Sequence, residues 1–140
     1  MIIFIGCGKR KNSYKCSAKM MYQGNFFKIC LSYAKTLTVE NNIYILSAKY
    51  GVLNLTDIIE PYDKTLNNMD RQEKEQWSKM VKHQLQEKNL LNKEAMFLCG
   101  KNYYISILDN FSKVLIPLAG LSGMGYQIQW MKDKMKRRLF

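Results

Sequence analysis

The chain has 140 residues, of which 47% are hydrophobic, and 22 lysines and arginines against 11 acidic residues give it a net charge of +11. These totals predict one domain, residues 1–140, that can bury a core without disulfide or metal staples, and the absence of a long apolar run excludes a membrane-spanning protein. The opening segment MIIFIGC is too short for a secretory signal, so we expect a cytoplasmic location.

Predicted strands and helices alternate along the sequence. A short apolar run predicts the first strand at residues 2–6, and apolar side chains at helical spacing predict a helix over 26–37. The other predicted elements are strands at 43–47, 95–99 and 114–118, and helices from Asp70 to about Lys88, over 102–110 and over 125–138. Asp70 and Glu73 match a capping box. Residues 49–69 show no clear period and are predicted to form a long loop.

This alternation, with nearly continuous apolar strands, is typical of a parallel sheet covered by helices on both faces. We therefore expect an α/β fold, a three-layer α/β/α sandwich around a mainly parallel four-stranded sheet. Ligands of such folds bind at the carboxyl ends of the strands. The clusters that follow the four strands are CGKRK (7–11), SAKYG (47–51) with EPYD (60–63), GKNYY (100–104) and LAGLSGMG (118–125). One composite site at this edge is expected.

Two of these clusters contain glycines that would let a backbone approach an anion. GCGKRK has basic residues beside its glycines, but its spacing is not that of a Walker A loop, and a basic surface turn is the alternative. LAGLSGMG, with Gly120, Leu121 and Gly123, precedes a predicted helix and could form an anion seat. Tight packing between helix and strand would explain the same glycines.

The EPYD cluster combines two carboxylates with a proline. The proline extends the backbone at Glu60, so Glu60 and Asp63 would lie near Lys49, Tyr50 and Tyr62 if the loop folds back on the strand. A carboxylate there could orient water or face a developing positive charge, and a lysine could bind a phosphate or a departing anion. The structural alternative is a salt bridge between Lys49 and Glu60 that closes the loop.

The positive charge is concentrated towards both ends of the chain. No acidic residue precedes Glu40, whereas seven basic residues do, and five more lie between 132 and 138. This asymmetry predicts a polyanionic partner, either nucleic acid, with DNA first, or a phosphorylated small molecule. We assume a monomer.

The histidine and cysteine content excludes several mechanisms. The single histidine, His83, falls on the wet face of a predicted helix, which leaves no partner for a Ser-His-Asp triad, a Cys-His pair or an HExxH metal site. None of the four cysteines forms a CxxC pair, so reduced and mostly buried thiols are expected. We expect neither a metal nor a cofactor.

The segment LSAKYGVLNLTDIIEPYDKTL resembles the signature of the YaaA-type peroxide-stress protein family. It is closer still to a family of small bacterial and phage domains of unassigned function. The residues that carry this resemblance are Cys7, Lys9, Lys11, Ser47, Ala48, Lys49, Gly51, the stretch 60–63, Gly100, Tyr103, Pro117, Leu118, Gly120, Leu121 and Trp130.

A related turn occurs in the domain of archaeosine synthase that resembles uracil-DNA glycosylases. The distant resemblance implies a glycosylase-like three-layer fold and chemistry on, or binding of, a nucleobase attached to a sugar. The glycosylase motif Gly-Gln-Asp-Pro-Tyr and the histidine after the last strand are both missing from this sequence. Other residues would therefore have to carry any catalysis.

The first functional hypothesis is a DNA glycosylase, a hydrolase acting in DNA repair or phage defence on a normal or modified base. Asp63 as first choice, or Glu60 as second choice, would stabilise the oxocarbenium-like sugar or activate water. Lys49 or a backbone N–H of the 119–125 turn would contact the leaving base or a phosphate. The expected DNA-backbone contacts are Lys9, Arg10, Lys11, Lys15 and Lys19. The candidates for stacking on a flipped base are Tyr22, Tyr50, Tyr62 and Tyr103. In a variant of this mechanism, Lys9 or Lys49 attacks the sugar.

Two other hypotheses stay open. One is a DNA-binding protein without turnover, in which EPYD only clasps the loop. The other is a nucleoside or nucleotide N-glycosidase, or a ribosyltransferase, that uses the same site. The further ligand contacts expected at this site are Cys7, Ser47, Gly100 and the 120–123 turn.

Overall fold

The computed structural model describes residues 1–138. Its strands are β1 (Ile2–Gly6), β2 (Cys16–Ser17), β3 (Ile43–Ser47), β4 (Gly51–Asn54), β5 (Ile58–Ile59), β6 (Glu94–Leu98) and β7 (Lys113–Leu115). Its helices are α1 (Ala18–Met21), α2 (Asn25–Leu37), α3 (Arg71–Glu87), α4 (Lys101–Tyr104) and α5 (Met124–Arg138). None of the helices in this part of the chain is long and apolar enough to cross a membrane.

Five of the strands form one mixed sheet in the order β4-β3-β1-β6-β7. The central strand β1 runs parallel to β3 and β6, β7 runs parallel to β6, and only β4 is antiparallel to its neighbour. Strands β2 and β5 form a separate antiparallel pair. The α/β class is confirmed, but the sheet has five strands rather than the predicted four. The additional strand β4 lies within residues 49–69, where we predicted a loop.

Helices cover both faces of this sheet. The side chains of β1 alternate between the two faces, so each face carries apolar side chains that a helix can bury. Ile2 and Phe4 point into a core that contains Trp77 and Val81 of α3. Ile3 and Ile5 point into the other core, which contains buried side chains of α2 and α5. Phe4 is fully buried and its ring stacks on Phe97, with 5.1 Å between the ring centres.

The ends of three elements follow from local hydrogen bonds. Helix α3 begins with the predicted capping box, because Asp70 accepts from the backbone N–H of Glu73 at 2.8 Å and Glu73 accepts from that of Asp70 at 3.4 Å. The helix predicted over 102–110 is shorter, since α4 ends at Tyr104 and a separate 3₁₀ turn covers Leu108–Asn110. Strand β7 stops at Leu115 because a turn follows, with the N–H of Ala119 bonded to the carbonyl of Ile116.

A glutamine of α3 holds β4 against the sheet edge. The Gln84 side chain accepts from the N–H of Val52 and donates to the carbonyl of Tyr50, both at 2.8 Å. Gly51 lies between these two bonds with φ +74°, a conformation that side chains disfavour. The partner that stabilises this turn is thus more than 30 residues away in sequence, so the local pattern could not reveal it.

We expect Gly51→Ala to lower the free energy of unfolding by about 2–4 kcal/mol, because a Cβ there would be strained and would collide with the Gln84 amide. Urea denaturation followed by circular dichroism measures the change. Gly125→Ala in α5 is the matched control, since a Cβ at that position meets no atom within 4 Å. It should be neutral or stabilise by up to about 1 kcal/mol. Equal stability of Gly51→Ala and the wild type would contradict the role assigned to Gln84.

Candidate functional site

A cleft of about 710 Å³ opens at the carboxyl ends of β1 and β6. This volume is in the range of small-molecule sites. Its charged lining consists of one acidic residue, Asp63, and four lysines, Lys9, Lys11, Lys64 and Lys101. Its other lining residues are Gly6, Cys7, Gly8, Phe26, Thr65, Asn67, Asn68, Cys99, Gly100, Asn102, Tyr103 and Met124. The cleft therefore suits an anionic ligand with an apolar part.

The segment after β1, defined here as the strap (residues 7–12), contributes Cys7, Gly8, Lys9 and Lys11 to the cleft lining. At its start the N–H of Cys7 bonds to the carbonyl of Leu46 at 3.0 Å. Further along, Lys11 forms a β-bridge with Tyr22, and the N–H of Asn12 bonds to the carbonyl of Met21 at 2.8 Å. The CGKRK cluster is thus fixed to the segment around α1 and does not lead into a helix, as a phosphate loop would.

A hydrogen-bonded group of side chains lies beneath the strap. Ser47, at the end of β3, is fully buried and donates to the hydroxyl of Tyr62 at 2.8 Å, and that hydroxyl shares a 2.7 Å bond with the hydroxyl of Tyr22. The Ser47 hydroxyl also accepts from the N–H groups of Lys49 and Tyr50 at 3.2 and 3.0 Å. We call Tyr22, Ser47 and Tyr62 the tyrosine network. It ties the EPYD segment to the strand end.

The backbone of EPYD separates the two candidate carboxylates. The Tyr50 hydroxyl lies 3.3 Å from both the N–H and the carbonyl oxygen of Glu60, which holds that residue away from the cleft with its side chain exposed. Three residues later, the exposed Asp63 lines the cleft. Of the two carboxylates, only Asp63 faces the composite site.

Lys49 also lies outside the lining. Its ammonium group is 5.2 Å from the centre of the Tyr50 ring. Among the ion pairs within residues 1–138, none joins Lys49 to Glu60, so the predicted alternative of a loop-closing salt bridge is not observed. The loop is closed instead by Tyr50 and Tyr62. The structure therefore brings Asp63 and Lys9 to one cleft but not Lys49.

Cys7 and Tyr103 form part of the cleft floor. The Cys7 thiol donates to the Tyr103 hydroxyl at 3.3 Å, and the Tyr103 ring packs edge-on against Trp77, which donates from its indole nitrogen to the Ser47 carbonyl at 2.9 Å. Burial raises the pKa of the Tyr22, Tyr62 and Tyr103 phenols, and the Cys7 thiol acts in the same direction. These phenols therefore stay protonated. Tyr22 and Tyr62 bond to each other, and of the three only Tyr103 lines the cleft, where it could bond to a ligand.

Of the other three cysteines, only Cys99 lines the cleft, and the histidine lies outside the lining. Burial raises the pKa of the Cys30 thiol to about 12 and also raises the pKa of Cys99. All four cysteines are free thiols. His83 is exposed and lies 2.7 Å from a Glu87 oxygen, which confirms its predicted place on the wet face of the helix. Within residues 1–138, no three metal-binding side chains come together.

The remaining predicted site residues divide into two groups. Gly100 lines the cleft as expected, whereas Gly120, Leu121 and Gly123 do not. Leu121 packs against the core on the α2 face, and Gln127 donates to its carbonyl at 3.2 Å. This turn therefore serves to pack α5. Only Met124, which follows it directly, reaches the cleft.

The predicted DNA-backbone residues are also divided. Lys9 and Lys11 line the cleft, and the exposed Arg10 and Lys15 lie on or beside the strap outside the lining. The ammonium group of Lys19 is 3.6 Å from a carboxylate oxygen of Glu40. The Lys35 side chain bonds to Glu40 and Lys19 adds its charge, which lowers the pKa of the Glu40 carboxyl.

Sequence reasoning missed most of one wall of the cleft. Lys64, Thr65, Asn67 and Asn68 follow Asp63 directly, and Lys101 and Asn102 belong to GKNYY. The only indication of these residues in the sequence was that they lie next to, or within, clusters already assigned to the site. Phe26 carried no such signal, because its spacing is that of an ordinary apolar helix position.

A second and more open depression, of about 620 Å³, lies on α3. It is lined by Arg71, Lys74, Glu75, Ser78, Lys79 and Ser106. None of these residues lines the cleft, and Arg71 is already paired with Glu75 at 3.3 Å. This depression serves below as a control surface.

A known protein family matches most of the chain, including the residues that form the cleft. Residues 2–133 match the family described as "Family of unknown function (DUF6884)". The chain belongs to DUF6884. No curated protein shows a significant match to it. The DUF6884 match agrees with the expectation of a small domain of unassigned function, and it includes every residue that lines the cleft.

Proposed function

We propose that the protein is a DNA glycosylase-like N-glycosidase that holds one nucleotide of DNA in the cleft and releases its base. The observation that carries the proposal is the lining itself, in which one carboxylate, Asp63, lies among four lysines at the carboxyl edge of the sheet. Breaking an N-glycosidic bond leaves positive charge on the sugar and negative charge on the base, beside flanking phosphates that are already anionic. A single carboxylate in a basic cleft matches that distribution.

In the proposed reaction the bond between C1′ and the base nitrogen breaks, and the base leaves with the electron pair and takes up a proton from solvent. Water gives a proton to Asp63 as its oxygen bonds to C1′, and Asp63 then returns that proton to solvent. The lysines hold the phosphates on either side of the sugar and oppose the charge of the departing base. The lysine-nucleophile variant belongs to Lys9, which lines the cleft, rather than to Lys49, which does not.

The resemblance of residues 46–66 to YaaA-type proteins, and of the turn in this segment to the glycosylase-like domain of archaeosine synthase, supports the same proposal. It extends the proposal to a three-layer fold like that of uracil-DNA glycosylase and to a role in DNA repair or phage defence.

The proposal is tested by incubating the protein with single- and double-stranded oligonucleotides that carry normal, deaminated, oxidised or alkylated bases. Free base is then detected by mass spectrometry and abasic sites by alkaline strand cleavage. Release from at least one substrate is expected. Trapping of a protein–DNA adduct by borohydride, lost in Lys9→Gln, would select the lysine variant. Tight binding with no release from any substrate would instead favour a DNA-binding protein without turnover.

The small-molecule size of the cleft also favours a second candidate, an N-glycosidase or ribosyltransferase acting on free nucleotides. Salt dependence separates the two. If the four lysines contact DNA phosphates, log K should fall with log salt concentration with a slope of about −3 on a single strand and steeper on a duplex. Binding of a mononucleotide, which has no condensed counterions to release, should change little with salt. Fluorescence anisotropy at several NaCl concentrations measures both.

Lys101→Gln should reduce the DNA slope by about one unit. Lys113→Gln is the matched control, because Lys113 is also exposed but lies at the amino end of β7, on the opposite edge of the sheet. It should leave the slope unchanged. A shallow slope for DNA, or equal effects of the two substitutions, would contradict binding of a DNA strand in the cleft.

A further inference from the structure

Lys11 differs from the other three lysines of the cleft in how firmly it is held. Its backbone is fixed by the bridge to Tyr22, and its ammonium group lies 3.3 Å from the carbonyl oxygen of Lys9. The same ammonium group is 4.4 Å from the centre of the Tyr62 ring and 5.9 Å from that of Tyr22. Lys9, Lys64 and Lys101 are exposed, whereas Lys11 is half-buried.

The charge of Lys11 is not neutralised within the described chain. None of the ion pairs among residues 1–138 includes Lys11. Aromatic faces attract an ammonium group without neutralising it, and one carbonyl accepts only one of its three protons. A half-buried cation whose side chain lines a cleft and lacks a carboxylate partner is suited to bind an anion from solution.

The tyrosine network explains why the two rings stand where they do. The Tyr62 hydroxyl is bonded on one side to Ser47 and on the other to Tyr22, and the Tyr62 ring packs edge-on against Tyr50 with 5.6 Å between ring centres. Tyr22 is 1% exposed and packs against Phe27. Neither ring lines the cleft, so neither is placed to stack on a base that occupies it.

We propose that Lys11 is the phosphate-binding residue of the cleft and that Tyr62 is a positioning residue that holds the Lys11 ammonium group, rather than a stacking partner for a base. This assignment rests on the proposed function for the class of its ligand, a nucleotide phosphate. The assignment also gives Tyr62 of EPYD a role. The same segment places Asp63 in the cleft and, through Tyr62, holds the Lys11 ammonium group that would bind the neighbouring phosphate.

The test is isothermal titration calorimetry with orthophosphate and with thymidine 5′-monophosphate at low salt. Lys11→Gln should weaken binding of both ligands at least tenfold, because it removes a charge-assisted hydrogen bond. Lys64→Gln and Lys101→Gln change exposed lysines of the same cleft and should each weaken binding of these single-phosphate ligands clearly less than Lys11→Gln does. Lys113→Gln, at the opposite edge of the sheet, is the matched control and should leave binding unchanged. Equal losses for the three cleft substitutions would show a diffuse positive field and would overturn the assignment of Lys11.

The positioning role is tested by two substitutions at Tyr62. Tyr62→Phe keeps the ring and should leave phosphate binding within about threefold of the wild type, whereas Tyr62→Leu should weaken it about five- to tenfold. Because orthophosphate has no base, a loss with that ligand cannot come from base stacking. Thermal melting identifies any variant that does not fold, in which case Tyr62→Phe and Lys11→Gln carry the test.

The Lys11 Hε resonances give a readout that a purely structural role would not move. They should be shifted upfield by the Tyr62 ring in the wild type and in Tyr62→Phe, and should return to ordinary values in Tyr62→Leu. Equal phosphate affinity of Tyr62→Leu and wild type, or equal losses in Phe and Leu, would overturn the positioning role. Absence of base release, together with the binding pattern above, would refute the glycosidase and leave this inference standing.

Discussion

Asp63→Asn should lower the rate of base release by about 10²–10⁴-fold and leave the dissociation constant for DNA within about threefold. The substitution preserves the shape of the side chain but removes the group that stabilises the sugar cation or accepts a proton from water. Removing a negative charge from among four lysines should not weaken binding of a polyanion. Single-turnover release of free base, with anisotropy for binding, measures the two effects separately.

Glu60→Gln is the matched control for this experiment. Glu60 belongs to the same EPYD segment and is equally exposed, but its backbone is held outward by Tyr50 and its side chain does not line the cleft. Its release rate should stay within about threefold of the wild type. If Glu60→Gln abolished release and Asp63→Asn did not, the assignment of the two carboxylates would be reversed. If both variants released base normally, a carboxylate mechanism would be excluded.

The second large effect is expected in the tyrosine network. Ser47→Ala should lower the free energy of unfolding by about 1–3 kcal/mol, because it leaves the N–H groups of Lys49 and Tyr50 without their acceptor in a partly buried turn. Tyr62→Phe should cost about 1 kcal/mol through loss of its bonds to Ser47 and Tyr22. Urea denaturation of the two single variants and the double variant measures the effects.

Both substitutions remove the same Ser47–Tyr62 bond. The loss of unfolding free energy in the double variant should therefore be smaller than the sum of the two single losses, by at least about 0.5 kcal/mol. Ser78→Ala is the matched serine control. Its hydroxyl bonds to the Lys74 carbonyl and to Ser106, but it lies on α3 and is only half-buried, so a change below about 0.5 kcal/mol is expected. Strict additivity of the Ser47 and Tyr62 losses would show that the bond contributes nothing.

The central part of the fold could be predicted because its signals are local. Strands β1, β3 and β6 are mostly apolar runs. Helix α3 begins at a capping box that can be recognised from the sequence alone. Strand β4 was missed because GVLN is short and is held by Gln84 from a distant helix. The pair formed by β2 and β5 has only two residues in each strand, too few to produce a period.

The sequence was enough to predict at which edge of the sheet the candidate site lies, but not which side chains line it. The rule that parallel strands end at one edge brings CGKRK and GKNYY together, as the lining shows. It fails for Lys49, because β3 turns directly into the antiparallel β4 instead of leading to a helix. It also fails within EPYD, where hydrogen bonds from Tyr50 to the Glu60 backbone decide which carboxylate faces inward. Such tertiary contacts leave no mark on the local sequence.

The most direct test of the central claim, that the cleft at the ends of β1 and β6 holds a nucleotide of DNA, is amide chemical-shift mapping. ¹⁵N-labelled protein is titrated with a short single-stranded oligonucleotide at low salt. The largest shifts are expected in residues 7–11, 63–68 and 99–103, and they should be reduced in Lys11→Gln. Largest shifts around Arg71, Lys74, Lys79 and Ser106, the control surface on α3, would contradict the central claim.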